Sequence, residues 1–148
     1  MKFDFVIIGA GSAGCAIASR LSEDGKYSVA VIEAGPKDSN PWIHVPVGYF
    51  KTMGNPKSDW RYVAQADPGI NGRAIPWPRG RVLGGSSSIN GLLYVRGQHQ
   101  DFDHWRQLGN AGWSWEDVLP YFKRSESWHG NAKSGDNTRG FDGPLSVS

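Results

Sequence analysis

The sequence predicts an α/β fold, built on one βαβ unit with a parallel strand pair and continued by a long irregular segment. Three observations carry this. Two apolar, β-branched runs bracket a stretch with helical spacing. A glycine-rich turn, GAGSAG from Gly9 to Gly14, joins the first run to that stretch. Beyond Gly35 the chain becomes rich in Pro, Gly and Trp and loses periodicity.

The elements follow in order. Phe3 to Ile8 reads as a buried strand, because a short apolar run bounded by turn residues suits a strand covered on both faces. Ala13 to Leu21 reads as a helix, with Ala16, Ile17, Arg20 and Leu21 at helical spacing and Ser22 to Gly25 closing it. Ser28 to Glu33 is a second buried strand. Strand, helix and strand within about 33 residues make a βαβ unit. From Pro36 to Arg79 only Trp60 to Gln65 qualifies as a strand, and Asp67-Pro68-Gly69 and Asn71-Gly72 mark turns. Asp101 to Leu108 is a short helix stopped by Gly109. Ser114 to Asp117 resembles a capping box, with Val118, Leu119 and Phe122 facing inward. Pro120 fits best in a first turn, which moves that helix's start toward Asp117. Trp128 to Asp142 is a polar, Gly-rich loop, and Gly143 to Ser148 begins a new strand.

Composition bounds the function. The 148 residues suffice for one domain, and 39% hydrophobic with 20% charged residues is a globular balance. The 20 glycines are about double ordinary usage, which suggests places where backbone must approach something closely. A net charge of +2 without a basic run excludes a nucleic-acid face. The one cysteine, Cys15, has no internal disulfide partner and reads as a packing residue on the first helix. That points to a reducing, cytoplasmic setting and leaves peripheral membrane association open. No run approaches the roughly 18–20 apolar residues of a membrane span. Asp4 interrupts the N-terminal apolar stretch and argues against a secretory signal. No metal is predicted.

The chemistry begins with Gly9-x-Gly11-x-x-Gly14. Gly9 permits a tight turn, Gly11 lets backbone approach a pyrophosphate, and Gly14 lets the helix pack close to the strand. The first helical residues, Ser12, Ala13 and Gly14, present free N–H groups and the positive end of the helix dipole to a phosphate. Glu33 ends the second strand 19 residues beyond Gly14, where a carboxylate accepts from ribose hydroxyls and repels a 2′-phosphate. This disfavours NADP and leaves NAD or the ADP half of FAD. The unit is therefore Rossmann-like.

Gly80 to Gly97, GRVLGGSSSINGLLYVRG, is unsuited to helix or strand, since glycine costs backbone entropy and serine competes for backbone hydrogen bonds. Gly80, Arg81, Leu83, Gly84, Gly85, Ser86, Ser87, Ile89, Asn90, Tyr94, Gly97 and Asp103 resemble, at matching spacing, a signature of the glucose–methanol–choline oxidoreductases. Glu33-Ala34-Gly35, Trp77 to Gly80 and Asp117 to Phe122 are similar to that family too, closest to its bacterial choline- and alcohol-dehydrogenase-like branch. The resemblance implies an FAD-binding domain whose irregular segment covers the cofactor. It carries over Val82, Gly85, Asn90, Gly91, Leu92 and Leu93 as cofactor neighbours, and Ser86 offers a hydroxyl and an N–H. Some relatives attach flavin through a histidine in the serine-rich stretch. The matching position here is Ile89, which predicts non-covalent FAD.

The resemblance also implies an alcohol (CH–OH) donor, oxidised to aldehyde or ketone by hydride transfer to flavin. The catalytic base it implies is a histidine beyond Ser148, so no catalytic residue is assigned within the chain. His44, His99, His104 and His129 read as surface or loop residues. Residues 1–142 read as an incomplete FAD-binding domain and 143–148 as the first residues of a substrate domain. The alternative is a truncated, inactive flavin- or ADP-binding module. An NAD-binding dehydrogenase half is a third reading, against which the Gly80–Gly97 segment argues. The partner expected is a small-molecule alcohol; the electron acceptor stays open among oxygen, a quinone and other carriers.

Overall fold

The structure, a computed structural model, describes residues 1–130 and 137–148. Two compact units divide the chain, residues 1–93 and 94–148.

The first unit opens with β1 (Phe5–Ile8), α1 (Ser12–Ser22) and β2 (Val29–Ile32). β1 and β2 pair in parallel, Phe5 opposite Val29 through Ile8 opposite Ile32. Asp4 secures the start of the pair by accepting from the Ser28 N–H at 2.8 Å and the Ser28 hydroxyl at 2.6 Å. The predicted βαβ unit is present, with shorter strands than expected. The expectation of buried strands is corrected. Among the described residues α1 is the helix that packs on this two-stranded pair, and Val6, Ile8, Val31 and Ile32 stay exposed, Ile8 at 79%.

From Pro36 onward, short turns replace regular structure, as the Pro and Gly content predicts. Asn40 caps a 3₁₀ turn at Pro41–His44 through the Trp42 N–H, and α2 (Tyr49–Thr52) is a single helical turn. The strand predicted over Trp60–Gln65 shrinks to β3 (Tyr62–Val63), which pairs antiparallel with β4 (Pro76–Trp77). β4 was not expected, because proline lacks the N–H of a ladder and is confined to edges. The Asp67 turn forms as predicted, its carboxylate accepting from Gly69 N–H at 2.6 Å, and Asn71 is left-handed at φ 58°.

The second unit holds α3 (His99–Gln107), α4 (Trp115–Ser125), β5 (Glu126–Trp128) and β6 (Leu145–Val147). α3 starts two residues before the predicted Asp101, because Asp101 reaches back to the Gln98 N–H at 2.8 Å. α4 starts at Trp115, and Pro120 lies inside it rather than in its first turn. Ser114 and Asp117 form the capping box: the Asp117 N–H donates to Ser114 Oγ at 3.3 Å, and the Ser114 N–H to Asp117 Oδ2 at 3.0 Å. That box supplies a strong start where proline position alone misleads. Phe102 is buried between the helices against Phe122 and Trp115. β5 and β6 pair in parallel, which places Trp128 at a strand end rather than in a loop. Residues 131–136 of the predicted loop lie outside the described residues. Fully buried Glu126 joins Arg96 and Arg139, accepting from Arg139 Nη1 at 2.8 Å and from the Gly140 N–H at 3.0 Å. The pairing makes its burial tolerable.

Candidate cofactor-binding site

The site lies in the first unit, where two glycine-rich segments meet. Gly9 turns the chain off β1 with φ 95° and donates to Ile32 O at 2.7 Å. Gly14 must lack a side chain, because a Cβ there would lie 2.0 Å from the Gly9 carbonyl oxygen. The first helical bond of α1 runs from Cys15 N to Gly11 O at 2.9 Å. The N–H groups of Ala13 and Gly14 therefore precede the helical ladder at the start of α1, where an anion is favoured.

The second segment closes on the first. Gly84 N donates to Ala10 O at 2.8 Å, and Gly84 bridges Gly11 in a parallel contact. Gly84 and Gly85 are both left-handed, at φ 90° and 56°. A Cβ on Gly85 would sit 2.8 Å from Gly11 Cα, so the two backbones meet without side chains between them. Gly80 N donates to Ser86 Oγ at 3.1 Å, folding the segment into a closed loop. Gly35 lies against Arg81 and Val82 with no room for a Cβ, and Val82 is buried at 1% exposure.

Glu33 ties the pieces together. Its Oε2 accepts from Ala10 N at 2.8 Å and its Oε1 from Gly35 N at 2.9 Å. Each carboxylate oxygen keeps a second lone pair for an outside donor. Gly9, Gly11, Glu33, Gly85 and Ser86 line one open cleft of about 490 Å³. Five of the sequence-predicted residues are thus brought together from three separate parts of the chain.

The other predicted residues are distributed around it. The Leu92 N–H donates to Asn90 Oδ1 at 3.0 Å, closing a local turn in which Leu92 is left-handed at φ 59°. Asn90 and Leu92 line a smaller cavity of about 130 Å³ with Trp42, His44, Tyr49, Ser87 and Ser88. Gly91 faces open space, and Leu93 is 89% exposed at the end of the unit. The Val82 side chain is core, and the residue lines neither cavity. Ile89 is buried at 3% exposure.

Trp60, Tyr62 and Arg79 form the far wall of the cleft, and sequence reasoning did not place them there. The Trp60 and Tyr62 rings stack at 6.0 Å, only 5° from parallel. Their i, i+2 spacing on a predicted strand was the available signal. Asp59 supports that wall. It is 3% exposed and accepts from Gly54 N at 2.7 Å, Arg61 N at 2.8 Å and Arg79 N at 2.9 Å. Burial pushes its carboxyl up, but the three N–H donors and the Arg61 charge outweigh that and hold it below the ordinary carboxylate range.

Among the described residues, no helix is long and apolar enough to cross a membrane.

A family model described as GMC oxidoreductase matches residues 3–148. The chain is 54% identical over 147 residues to the oxygen-dependent choline dehydrogenase of Rhizobium etli, covering 99% of this chain and 26% of that protein. Among solved structures, pyridoxine 4-oxidase from Mesorbium loti superposes with a TM-score of 0.82 at 40% identity, over 98% of this chain and 28% of that one. A formate oxidase from Aspergillus oryzae RIB40, in a structure concerned with FAD modification, superposes at 0.80 with 34% identity, over 97% and 26%. The chain spans about a quarter of the length of the curated relatives it matches. Two glycine segments packed backbone to backbone, a strand-end carboxylate and a match along nearly the whole chain agree: this chain belongs to the GMC oxidoreductase family.

Proposed function

We propose that these residues are the FAD-binding N-terminal part of an oxidoreductase that oxidises a small alcohol to an aldehyde or ketone. The observation that carries this is the seam between Gly11 and Gly84–Gly85, which leaves a side-chain-free cradle beside the start of α1. That cradle fits a pyrophosphate: it offers helix N-terminal N–H groups and admits close backbone approach. Glu33 would accept from the ribose hydroxyls, and Trp60 and Tyr62 would flank the adenosine half. Ser86, Asn90, Gly91, Leu92 and Leu93 would continue along the flavin half. The chemistry FAD supplies when bound is acceptance of hydride from the alcohol carbon.

Non-covalent attachment belongs to the same proposal. Ile89 has no nucleophile and its side chain is buried. The proton of the substrate hydroxyl needs a base; none of the histidines lines the Glu33 cleft, and His44, which lines the Asn90–Leu92 cavity, is engaged by main chain. His44 Nε2 lies 2.6 Å from Asp38 O, and His99 stacks on Trp115 at 4.0 Å. A base from elsewhere in the full-length protein is therefore part of the proposal. Choline is the first substrate to test, since a choline dehydrogenase shares half of these residues.

The test uses the full-length protein that carries these residues. Purified protein should be yellow, and anaerobic addition of choline or another alcohol from a panel should bleach the flavin. Acid precipitation should leave the colour in the supernatant. Protein that binds no FAD would overturn the reading; colour in the pellet would overturn non-covalent attachment alone.

A further inference from the structure

We propose that Asp59 is a positioning residue for the cofactor cleft: its carboxylate gathers the main-chain N–H groups of Gly54, Arg61 and Arg79 and thereby fixes the Trp60–Arg79 wall against the adenosine half of FAD. The proposal rests on the FAD reading above and adds a residue that the glycine fingerprint does not include.

Three observations converge. First, every contact the carboxylate makes is to main chain, from three separate stretches. Oδ1 takes Arg61 N and Arg79 N, and Oδ2 takes Gly54 N. A buried carboxylate with three aimed donors holds backbone far more firmly than a neutral acceptor does. Second, the gathered backbone carries the cleft wall: Arg79 lines the cleft itself, and Arg61 lies between the lining residues Trp60 and Tyr62. Trp60 follows Asp59 directly, and the Trp60 N–H donates to Arg79 O at 2.8 Å. Asp59 also bridges Gly80, which leads into the Gly84–Gly85 seam. Third, Arg61 has a left-handed backbone, φ 57°, which a residue with a side chain holds only when its surroundings impose it. The Asp59 Oδ1 bond to Arg61 N imposes it here, and sets the direction from which Trp60 and Tyr62 enter the cleft.

Asp59→Asn keeps the shape of the side chain and replaces one acceptor oxygen with a donor facing an N–H. FAD dissociation constants, measured by flavin fluorescence on reconstituted full-length protein, should rise about tenfold to a hundredfold. A purely structural role would add to other defects, whereas a positioning role acts through the wall. In a double-mutant cycle, Asp59→Asn with Trp60→Ala should bind FAD about as weakly as the worse single variant, not at the product of the two losses. Additive losses, or unchanged affinity in Asp59→Asn, would overturn the proposal. If Asp59→Asn does not fold, the wild-type protein decides. The amides of Gly54, Arg61 and Arg79 should exchange slowly as a group and more slowly still with FAD bound. Fast exchange, or no change on adding FAD, would overturn it. Wild type that binds no FAD removes the functional reading and this proposal together, whereas wild type that binds FAD beside an unaffected Asp59→Asn removes this proposal alone.

Discussion

Glu33 uses both carboxylate oxygens inside the protein, on Ala10 N and Gly35 N, and still has lone pairs for a ribose. Glu33→Ala removes the latch and the proposed ribose contact together. A hydrogen bond to a charged group is worth about 1.5–3 kcal/mol, so FAD affinity should fall about tenfold to a hundredfold in full-length protein. Unchanged affinity by fluorescence titration would take Glu33 out of the ribose role. Gly85→Ala should be worse, because it forces a Cβ against Gly11 Cα at a left-handed φ. The left-handed conformation alone costs about 1–2 kcal/mol for a residue with a side chain. Asp59 carries a pH signature. Its carboxyl is held below its ordinary value, so the stability it contributes is present above the unfolded-state pKa of about 3.9. That stability is lost as pH falls through the lower folded-state value. Thermal melts from pH 6 downward should show wild type losing more stability than Asp59→Asn below about pH 4. Parallel acid profiles would show that Asp59 does not titrate with folding.

At the scale of elements, the start of α4 offers a clean test. Ser114→Ala deletes the capping oxygen and should cost about 0.5–2 kcal/mol in urea unfolding. Pro120→Ala should act the other way, restoring an N–H inside the helix and removing a ring that crowds the preceding turn. No change in midpoint for Ser114→Ala would mean that Asp117 and the Trp115 N–H bond to Asp103 carry the start unaided. What the sequence made legible follows from the same local physics. The βαβ unit was readable because apolar period and glycine spacing are local signals. Gly9, Gly11 and Glu33 were readable for that reason too, Gly85 and Ser86 through the family resemblance of their segment, and all five share one cleft. The Trp60–Tyr62–Arg79 wall was not readable, because its placement depends on Asp59 reaching Arg79, twenty residues away. β4, with Pro76, and β5 were missed because two- and three-residue strands have no period to detect, whereas β6 falls inside the strand predicted over Gly143 to Ser148.

On the scale of the whole molecule, burial is thin. Among the described residues the buried hydrophobics are Ala10, Val82, Ile89, Phe102 and Val147, while Val6, Ile8, Ile17, Val31 and Ile32 are exposed around the first strand pair. Exposed apolar patches of this kind mark surfaces that other chain covers. Residues 1–148 expressed alone should therefore bind a hydrophobic dye such as ANS, aggregate readily and hold FAD weakly. They should not bleach added FAD anaerobically with choline or simple alcohols, since a positioned base contributes about 10²–10⁴-fold, no histidine lines the Glu33 cleft and His44 is engaged by Asp38 O. Turnover by this piece would place the base inside it, with His99 and His104 the first residues to mutate.

The seam between Gly11 and Gly84 joins stretches about seventy residues apart. A ribosome must therefore release the chain through Gly85 before the proposed pyrophosphate cradle can close. Closing so long a loop around glycine, the residue with most freedom to lose, is entropically costly. A ligand that spans the seam repays part of that cost, by about 2.7 kcal/mol when free FAD stands at a hundred times its dissociation constant. Full-length protein stripped of FAD should therefore be cut by a protease faster than the same protein loaded with FAD, and equal rates would show that the seam closes without help from the ligand.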